Sequence, residues 1–141
     1  MRNYRNKIGT EKLNQVGAAI KVKISSRGQK EPYKIGWAKI DTGGSHTHIE
    51  KKLIESLKLK PFEKVLHSNS SVEKEPTDRY LIHMYFPKLD VEGDFKVTAS
   101  NMKFEKFEGE PVMAILGRDF LRECKFIYNG KTGEYQVIIE T

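Results

Sequence analysis

The chain has 141 residues, 38% hydrophobic and 31% charged, with 25 Lys and Arg against 19 Asp and Glu and a formal net charge of +6. That length suits one domain with a respectable core and is too short for two full lobes, and no apolar run approaches the roughly 20 residues of a membrane span, so no membrane association is expected. The basic residues are dispersed among acids, with no basic block and no aromatic-basic repeat; they read as a solvated surface, and no nucleic-acid partner is expected.

Residues 1–17 are polar and unpatterned and read as an N-terminal arm, with 18–141 as a single domain. The stretch from Met1 to Lys12 is basic and has no apolar signal segment, which points to a cytoplasmic protein. From Ala18 to Ser25, Ile20, Val22 and Ile24 alternate with lysines, the period-two mark of a half-buried strand. Ser26 to Gln29 is a turn, and Tyr33 to Ile40 is the returning strand. Glu50 to Leu59 has helical spacing at Leu53, Ile54 and Leu57, and Pro61 stops it. Val65 to His67 and Tyr80 to Phe86 read as strands around a polar excursion from Ser68 to Arg79. Alternation returns between Phe95 and Phe107, through Val97, Met102 and Phe104. Val112 to Leu116 is a continuous apolar run, consistent with a strand buried on both faces.

Cys124 is the only cysteine, so no internal disulfide is available, which supports a reducing compartment. It lies at the start of an expected buried strand and reads as a small core hydrophobe rather than a nucleophile. Lys125 to Tyr128, the glycine-bearing turn Asn129 to Gly133, and Tyr135 to Ile139 form an expected hairpin. The chain is thus mainly β with one or two short helices.

Two stretches carry chemistry. Trp37, Ala38 and Ile40 deliver Asp41 onto a glycine turn, Asp41-Thr42-Gly43-Gly44, where backbone amides can surround the carboxylate. The plain alternative is a strand-end Asp that caps a turn. About 75 residues further on comes Ala114-Ile115-Leu116-Gly117-Arg118-Asp119-Phe120-Leu121. His46 and His48 alternate and would share a strand face, but no cysteine or His-Glu-x-x-His pattern supports a metal pair. They read as ordinary strand residues, and no metal is expected.

Together the two motifs resemble the retropepsins, single-domain aspartic proteases of retroviruses and their cellular and bacterial relatives. The resemblance covers roughly residues 18–139. It implies a small closed acid-protease-type barrel and a homodimer in which two Asp41 carboxylates activate a water on a peptide or protein substrate, with no cofactor. It also implies that the Thr42 hydroxyl bonds across the dimer axis, and that Gly43 allows the bend and offers an amide to the carboxylate. Gly117, after Ile115 and Leu116, matches the glycine that in the family lets the later strand pass close behind the active-site loop. Arg118 matches an arginine that in retroviral enzymes pairs with an acid just after Asp-Thr-Gly. Here that place reads Ser45-His46-Thr47-His48, leaving Asp119 as the nearest partner. Gly44 departs from the family's Ala or Ser. The stretch from His67 to Tyr80 occupies the place of the family's flap, the hairpin that covers the cleft, and reads equally well as a surface loop. The expected dimer contacts are the Asp41 loop, the N-terminal arm and the final strand, Tyr135 to Ile139. The competing function is a non-catalytic peptide- or protein-binding module on the same fold.

Overall fold

The computed structural model describes residues 2–68, 74–102 and 105–140. In chain order its elements begin with β1 (Arg2–Lys7), α1 (Thr10–Val16), β2 (Ala19–Ser26), β3 (Tyr33–Ile40), β4 (His48–Glu50) and α2 (Lys51–Ser56). They continue with β5 (Glu63–Ser68), β6 (Lys74–Phe86), β7 (Val91–Ser100) and β8 (Lys106–Phe107). The last are β9 (Glu110–Leu116), α3 (Arg118–Leu121), β10 (Lys125–Asn129) and β11 (Glu134–Ile139).

Strands β2-β3-β9-β4-β7-β6 are hydrogen-bonded in that order, and β6 returns to β2 from Lys23↔Tyr85 to Ser26↔Ile82. The ring is therefore closed, a six-stranded barrel, which leaves no edge among those strands. Alternation explains which residues fill it. Ile20, Val22 and Ile24 on β2 and Ile82, Met84 and Phe86 on β6 all point inward and are fully buried. Each such side chain is worth about 1.5–3 kcal/mol on leaving water. The lysines between them lie outside the barrel: Lys21 pairs with Glu110 at 2.7 Å, and Lys23 sits over the Tyr33 ring at 4.6 Å.

Several elements depart from the sequence reading. The helix expected over Glu50 to Leu59 is confined to α2. Glu50 is its N-cap, accepting the Lys52 N–H at 3.3 Å, and Lys58 takes a left-handed φ of 54° that ends the helix ahead of Pro61. The polar excursion from Ser68 to Arg79 is largely strand, since β6 starts at Lys74 and pairs back onto β5 from Glu63↔Arg79 to Ser68↔Lys74. Its tip, including Ser70 and Ser71, lies outside the described residues, as does Phe104. The single alternating stretch Phe95 to Phe107 is two strands, β7 and β8.

The N-terminal arm differs most. It is ordered as β1 and α1, and β1 pairs with β11 over its full length, from Arg2↔Ile139 to Lys7↔Glu134. With β10 on the other side of β11, this makes a separate three-stranded sheet. β1 escapes periodicity because it is an edge strand whose inward positions are only Tyr4 and Asn6. Tyr4 meets Tyr135 edge-on at 6.1 Å between ring centroids, and Asn6 donates to the Tyr135 hydroxyl at 3.1 Å. Burial, with Tyr135 beside it, raises the Tyr4 phenol well above its ordinary pKa. In α1 one residue, Leu13, is buried, too few to show a helical stripe in seven residues.

The arm is fastened at the β10–β11 turn, where the Ile8 and Gly9 amides both donate to the Gly133 carbonyl, at 2.9 and 3.3 Å. Gly133 has a φ of +73°, and a Cβ there would overlap the Gly9 backbone. Gly133→Ala should therefore lose about 2–4 kcal/mol of unfolding free energy, combining a left-handed backbone cost with overpacking. Gly130→Ala in the same turn, with no positive φ and an ordinary contact at 3.4 Å, should lose well under about 1 kcal/mol. Urea midpoints of the two variants check the contrast, and equal midpoints would refute it.

Candidate functional site

Asp41 follows the last residue of β3, and its position is set by β9. The two strands run parallel with Ile40 beside Leu116, and the Asp41 amide donates to the Leu116 carbonyl at 2.9 Å. The chain then turns: the Gly44 amide donates to the Asp41 carbonyl at 3.2 Å, and the Gly43 amide donates to Asp41 Oδ1 at 3.0 Å. Asp41, Thr42 and Gly43 are exposed on the protomer surface. Neither Gly43 nor Gly44 has a positive φ, so neither glycine is required by the bend itself. A side chain at either place would approach the carboxylate itself. A Cβ at residue 43 would lie 3.3 Å from Asp41 Oδ1, and one at residue 44 would lie 3.1 Å from Oδ2.

The segment from Leu116 to Asp119 holds this loop from behind. Gly117 passes so close that a Cβ on it would fall 2.6 Å from the His46 carbonyl oxygen. The Arg118 amide donates to the Gly44 carbonyl at 2.8 Å, and Arg118 Nη1 donates to the Thr42 carbonyl at 2.9 Å. Asp119 is not the partner of Arg118. Its carboxylate accepts from the Thr47 amide at 2.9 Å and the Thr47 hydroxyl at 2.8 Å, and also from the Phe120 amide at 2.8 Å. An arginine deprived of an acid in the Ser45 to His48 stretch thus uses two loop carbonyls, while the neighbouring acid takes the Thr47 donors.

Thr47, 4% exposed, is a fastening of the loop that the sequence reading passed over. Besides donating to Asp119, it accepts the Gly117 amide on its hydroxyl at 3.3 Å and the Thr98 amide on its carbonyl at 3.1 Å. It therefore joins the loop to both β7 and the segment that follows β9. Only the Asp inside Gly-Arg-Asp hinted at such a fastening. Ile115 sits in β9 opposite Lys39 on one side and His48 on the other.

The histidines do not share a strand face. His46 lies in the bend, with Nδ1 2.8 Å from the Ser45 hydroxyl, whereas His48 opens β4, with Nδ1 2.8 Å from the Thr98 hydroxyl. Among the described residues no group of three or more His, Cys, Asp or Glu is placed to hold a metal ion. Cys124 is half-buried in the turn before β10 rather than in the strand, its thiol donating to the Phe120 carbonyl at 3.7 Å. Burial, followed by the charge of Glu123, pushes that thiol up to about 11, which suppresses the thiolate at neutral pH. A concavity of about 400 Å³, lined by Lys23, Tyr33, His83 and Glu92 among others, lies at the far end of β3 from Asp41. His83 there contacts Glu92 at 3.0 Å and Asp94 at 3.4 Å, and the His83 hydrogen bond holds the Glu92 carboxyl below its ordinary pKa.

No protein-family model and no curated protein sequence matches the chain. Among solved structures, a retropepsin-like aspartic protease from Rickettsia conorii is similar with a TM-score of 0.50 and 13% identity, covering 96% of this chain and 90% of that one. The Simian Foamy Virus (mac) protease aligns at a TM-score of 0.49 and 15% identity, over 74% of this chain and 92% of that one. A retroviral protease-like domain from Leishmania major aligns at 0.44 and 12%, over 79% of this chain and 82% of that one. Likeness at such identity speaks to fold, and this chain has a retropepsin-like fold. No helix among the described residues is long and apolar enough to cross a membrane.

Asp119→Ala should lose about 1–3 kcal/mol of stability, because it strands the buried Thr47 amide and hydroxyl without an acceptor. Asp119→Asn keeps one acceptor oxygen and should lose less. Chemical denaturation of the two variants beside the parent is the check; equal losses would mean that the acceptor does not matter.

Proposed function

We propose that this chain is an aspartic endopeptidase that acts as a homodimer, with one Asp41 from each copy at a shared site. The observation that carries the reading is the exposed Asp41 carboxylate, set at the end of a barrel strand by Leu116 in a retropepsin-like fold. One carboxylate cannot be base and acid at the same instant, and this domain contains one Asp-Thr-Gly. A second copy supplies the missing group, and closed twofold symmetry is the commonest way for two identical chains to meet.

Two carboxylates brought within a few ångströms cannot both ionise cheaply, so they hold one proton between them. The ionised member takes a proton from a bound water as that water attacks the scissile carbonyl. The protonated member donates to the carbonyl oxygen, the proton taken from water passes to the leaving amine as the C–N bond breaks, and the new carboxyl group returns its hydroxyl proton to the dyad. No metal, cofactor or covalent intermediate enters this scheme. Support comes from Thr42, which is exposed and makes no side-chain hydrogen bond among the described residues of its own protomer, leaving its hydroxyl for the other copy. β5 pairs antiparallel with β6 outside the six-strand ring, and in this reading that hairpin covers extended substrate. Arg118 acts as a positioning residue, since its amide and guanidinium donate to the Gly44 and Thr42 carbonyls.

Asp41→Asn should abolish peptide cleavage while leaving folding intact, because the amide has the shape of the acid but cannot exchange the shared proton. Turnover of a peptide library, followed by mass spectrometry, reads the loss; cleavage at the parent rate would remove Asp41 from the mechanism. A parent that binds peptides but cleaves none at any acidic pH would favour the binding-module reading instead.

Gly44→Ser should move the acidic limb of the pH–rate profile to lower pH. A Cβ at residue 44 faces Asp41 Oδ2 at 3.1 Å, and the exposed carboxylate is free to shift the few tenths of an ångström that a side chain needs. The added hydroxyl would donate to the ionised carboxylate and favour it. A bond to a charged group is worth about 1.5–3 kcal/mol at best, so after solvent screening the limb should move by a few tenths to about one pH unit. An unmoved or raised limb would mean that the hydroxyl does not reach the acid.

A further inference from the structure

Outward positions on four barrel strands fall into two rows beside the turn that joins β2 to β3. Cross-strand register sets Tyr33, Ser25, His83 and Asp94 in one row and Ile35, Lys23, Tyr85 and Glu92 in the next. Ile24, Ile82 and Met84, which alternate with them along β2 and β6, are fully buried, so both rows face away from the core. Lys30 and Glu31 of the 27–32 turn line, with Lys23, Tyr85 and His83, the concavity of about 400 Å³ described above.

Two threads run from that turn to His83, each through one carboxylate. Asp94 Oδ1 accepts the Gly28 amide at 3.0 Å and stands 3.4 Å from His83 Nδ1. Glu92 divides its oxygens: Oε1 is 3.2 Å from Lys30 Nζ, and Oε2 is 3.0 Å from His83 Nε2. Both ring nitrogens of one imidazole therefore face carboxylate oxygens. A neutral imidazole has one N–H and one lone pair, so it serves one of these acids and repels the other; only the imidazolium donates to both. Histidine makes that change between about pH 5 and 8.

The other charges nearby do not replace it. Lys23, on the neighbouring strand, sits over the Tyr33 ring at 4.6 Å and 6.0 Å from the Tyr85 ring, and has no ion pair among the described residues. Glu31 and Asp90 bring two further acids to the concavity and no donor. Ser25, directly opposite His83, gives its hydroxyl to the Gln29 carbonyl, and the Gln29 amide donates to the Ser26 carbonyl at 3.0 Å. Those two bonds do not titrate. They keep the shape of the turn, whereas the two carboxylates set whether it lies down on β7.

We infer that His83 is a pH-operated latch: its imidazolium, by holding Asp94 and Glu92 together, fastens the 27–32 turn over the outer concavity, and loss of its second proton frees the turn. With its remaining hydrogen on Nε2, the nitrogen nearer its acid, the neutral ring turns a lone pair on Asp94 Oδ1, the atom that holds Gly28. The latch also fails from the acid side, once the carboxylates are protonated. The hydrogen bond of His83, then that of Lys30, holds the Glu92 carboxyl below its ordinary pKa. The Glu92 thread therefore persists further into acid than an ordinary glutamate allows, and is lost as pH falls through that lowered value. The turn is fastened on the acidic side of neutrality and loosens as pH rises through the histidine range. Asp41 takes no part, because its loop lies at the other end of β3.

The test is amide NMR of the full chain between about pH 5 and 8. In the parent, the Gly28 amide proton should move upfield along one curve shared with the His83 ring protons. Its exchange with water, divided by the intrinsic rate at each pH, should rise about two- to fivefold over that range, the scale of a partly exposed charged contact. In His83→Gln, whose amide donates to one acid at every pH, both readouts should be flat. Asp94→Asn approaches the same thread from its exposed end and serves if the first variant does not fold. It keeps an acceptor for Gly28 but gives the ring lone pair no charge to repel, so the Gly28 response should fall to less than about half of the parent's. A Gly28 amide indifferent to pH in the parent overturns the latch. So does one that titrates as fully in His83→Gln, or in Asp94→Asn, as in the parent.

Discussion

The close crossing of Gly117 behind the Asp41 loop is the constraint on which the rest of the site depends. Any side chain there would strike the His46 backbone, at 2.6 Å from its carbonyl oxygen. Because nothing intervenes, the segment after β9 can reach the loop with backbone as well as side chain, and the Arg118 amide closes on Gly44. A second glycine does the same work at the other end of the strand pair. A Cβ on Gly36 would fall 2.5 Å from the Pro111 carbonyl oxygen, where β3 and β9 approach before their register shifts between Trp37 and Ala38. The parallel alignment that puts Ile40 beside Leu116, and so sets Asp41, is thus bounded by two positions that tolerate no side chain.

Around that crossing, charge is used locally. Arg118 and Asp119 are adjacent and opposite in sign, yet each is satisfied by the loop rather than by the other. This division follows from geometry: a guanidinium with five donors can reach a carbonyl on the exposed side, while a carboxylate can accept from both donors of one threonine. The outcome is that Thr42, Gly44 and Thr47 are each fixed by the segment that follows Leu116. Loop shape therefore depends on hydrogen bonds made from behind, which leaves the outward face of Asp41 unobstructed.

What the sequence disclosed tracks how many residues repeat a pattern. β2, β3 and β9 were legible because each has alternating or continuous apolar residues that the barrel then buries, and the β10–β11 hairpin from its glycine-bearing turn and the alternation of β11. Asp41 and Gly117 were legible because their motifs occur together. β1 was not, since an edge strand with two inward positions, Tyr4 and Asn6, has too few to alternate. α1 was not, with Leu13 as its one buried residue. Thr47 was hidden for a different reason: a buried threonine in a polar run looks like any loop residue until its three partners are brought near by the fold. The two loop glycines were legible as a signal, yet neither takes a left-handed φ, and what they leave is room beside the carboxylate.

That room bears on how the carboxylate is presented. Oδ1 of Asp41 is held by the Gly43 amide, whereas Oδ2 faces the bare Cα of Gly44 and receives no hydrogen bond among the described residues. The two oxygens are consequently unequal before any second chain arrives. One is fixed in direction by the backbone, and the other is open to whatever stands in front of the loop. In the homodimer reading, the open oxygen is the one available to a shared proton or an attacking water. A rigid loop behind and an unfilled position beside the acid are then complementary: the first supplies placement, and the second leaves the reacting face to be completed by the other copy.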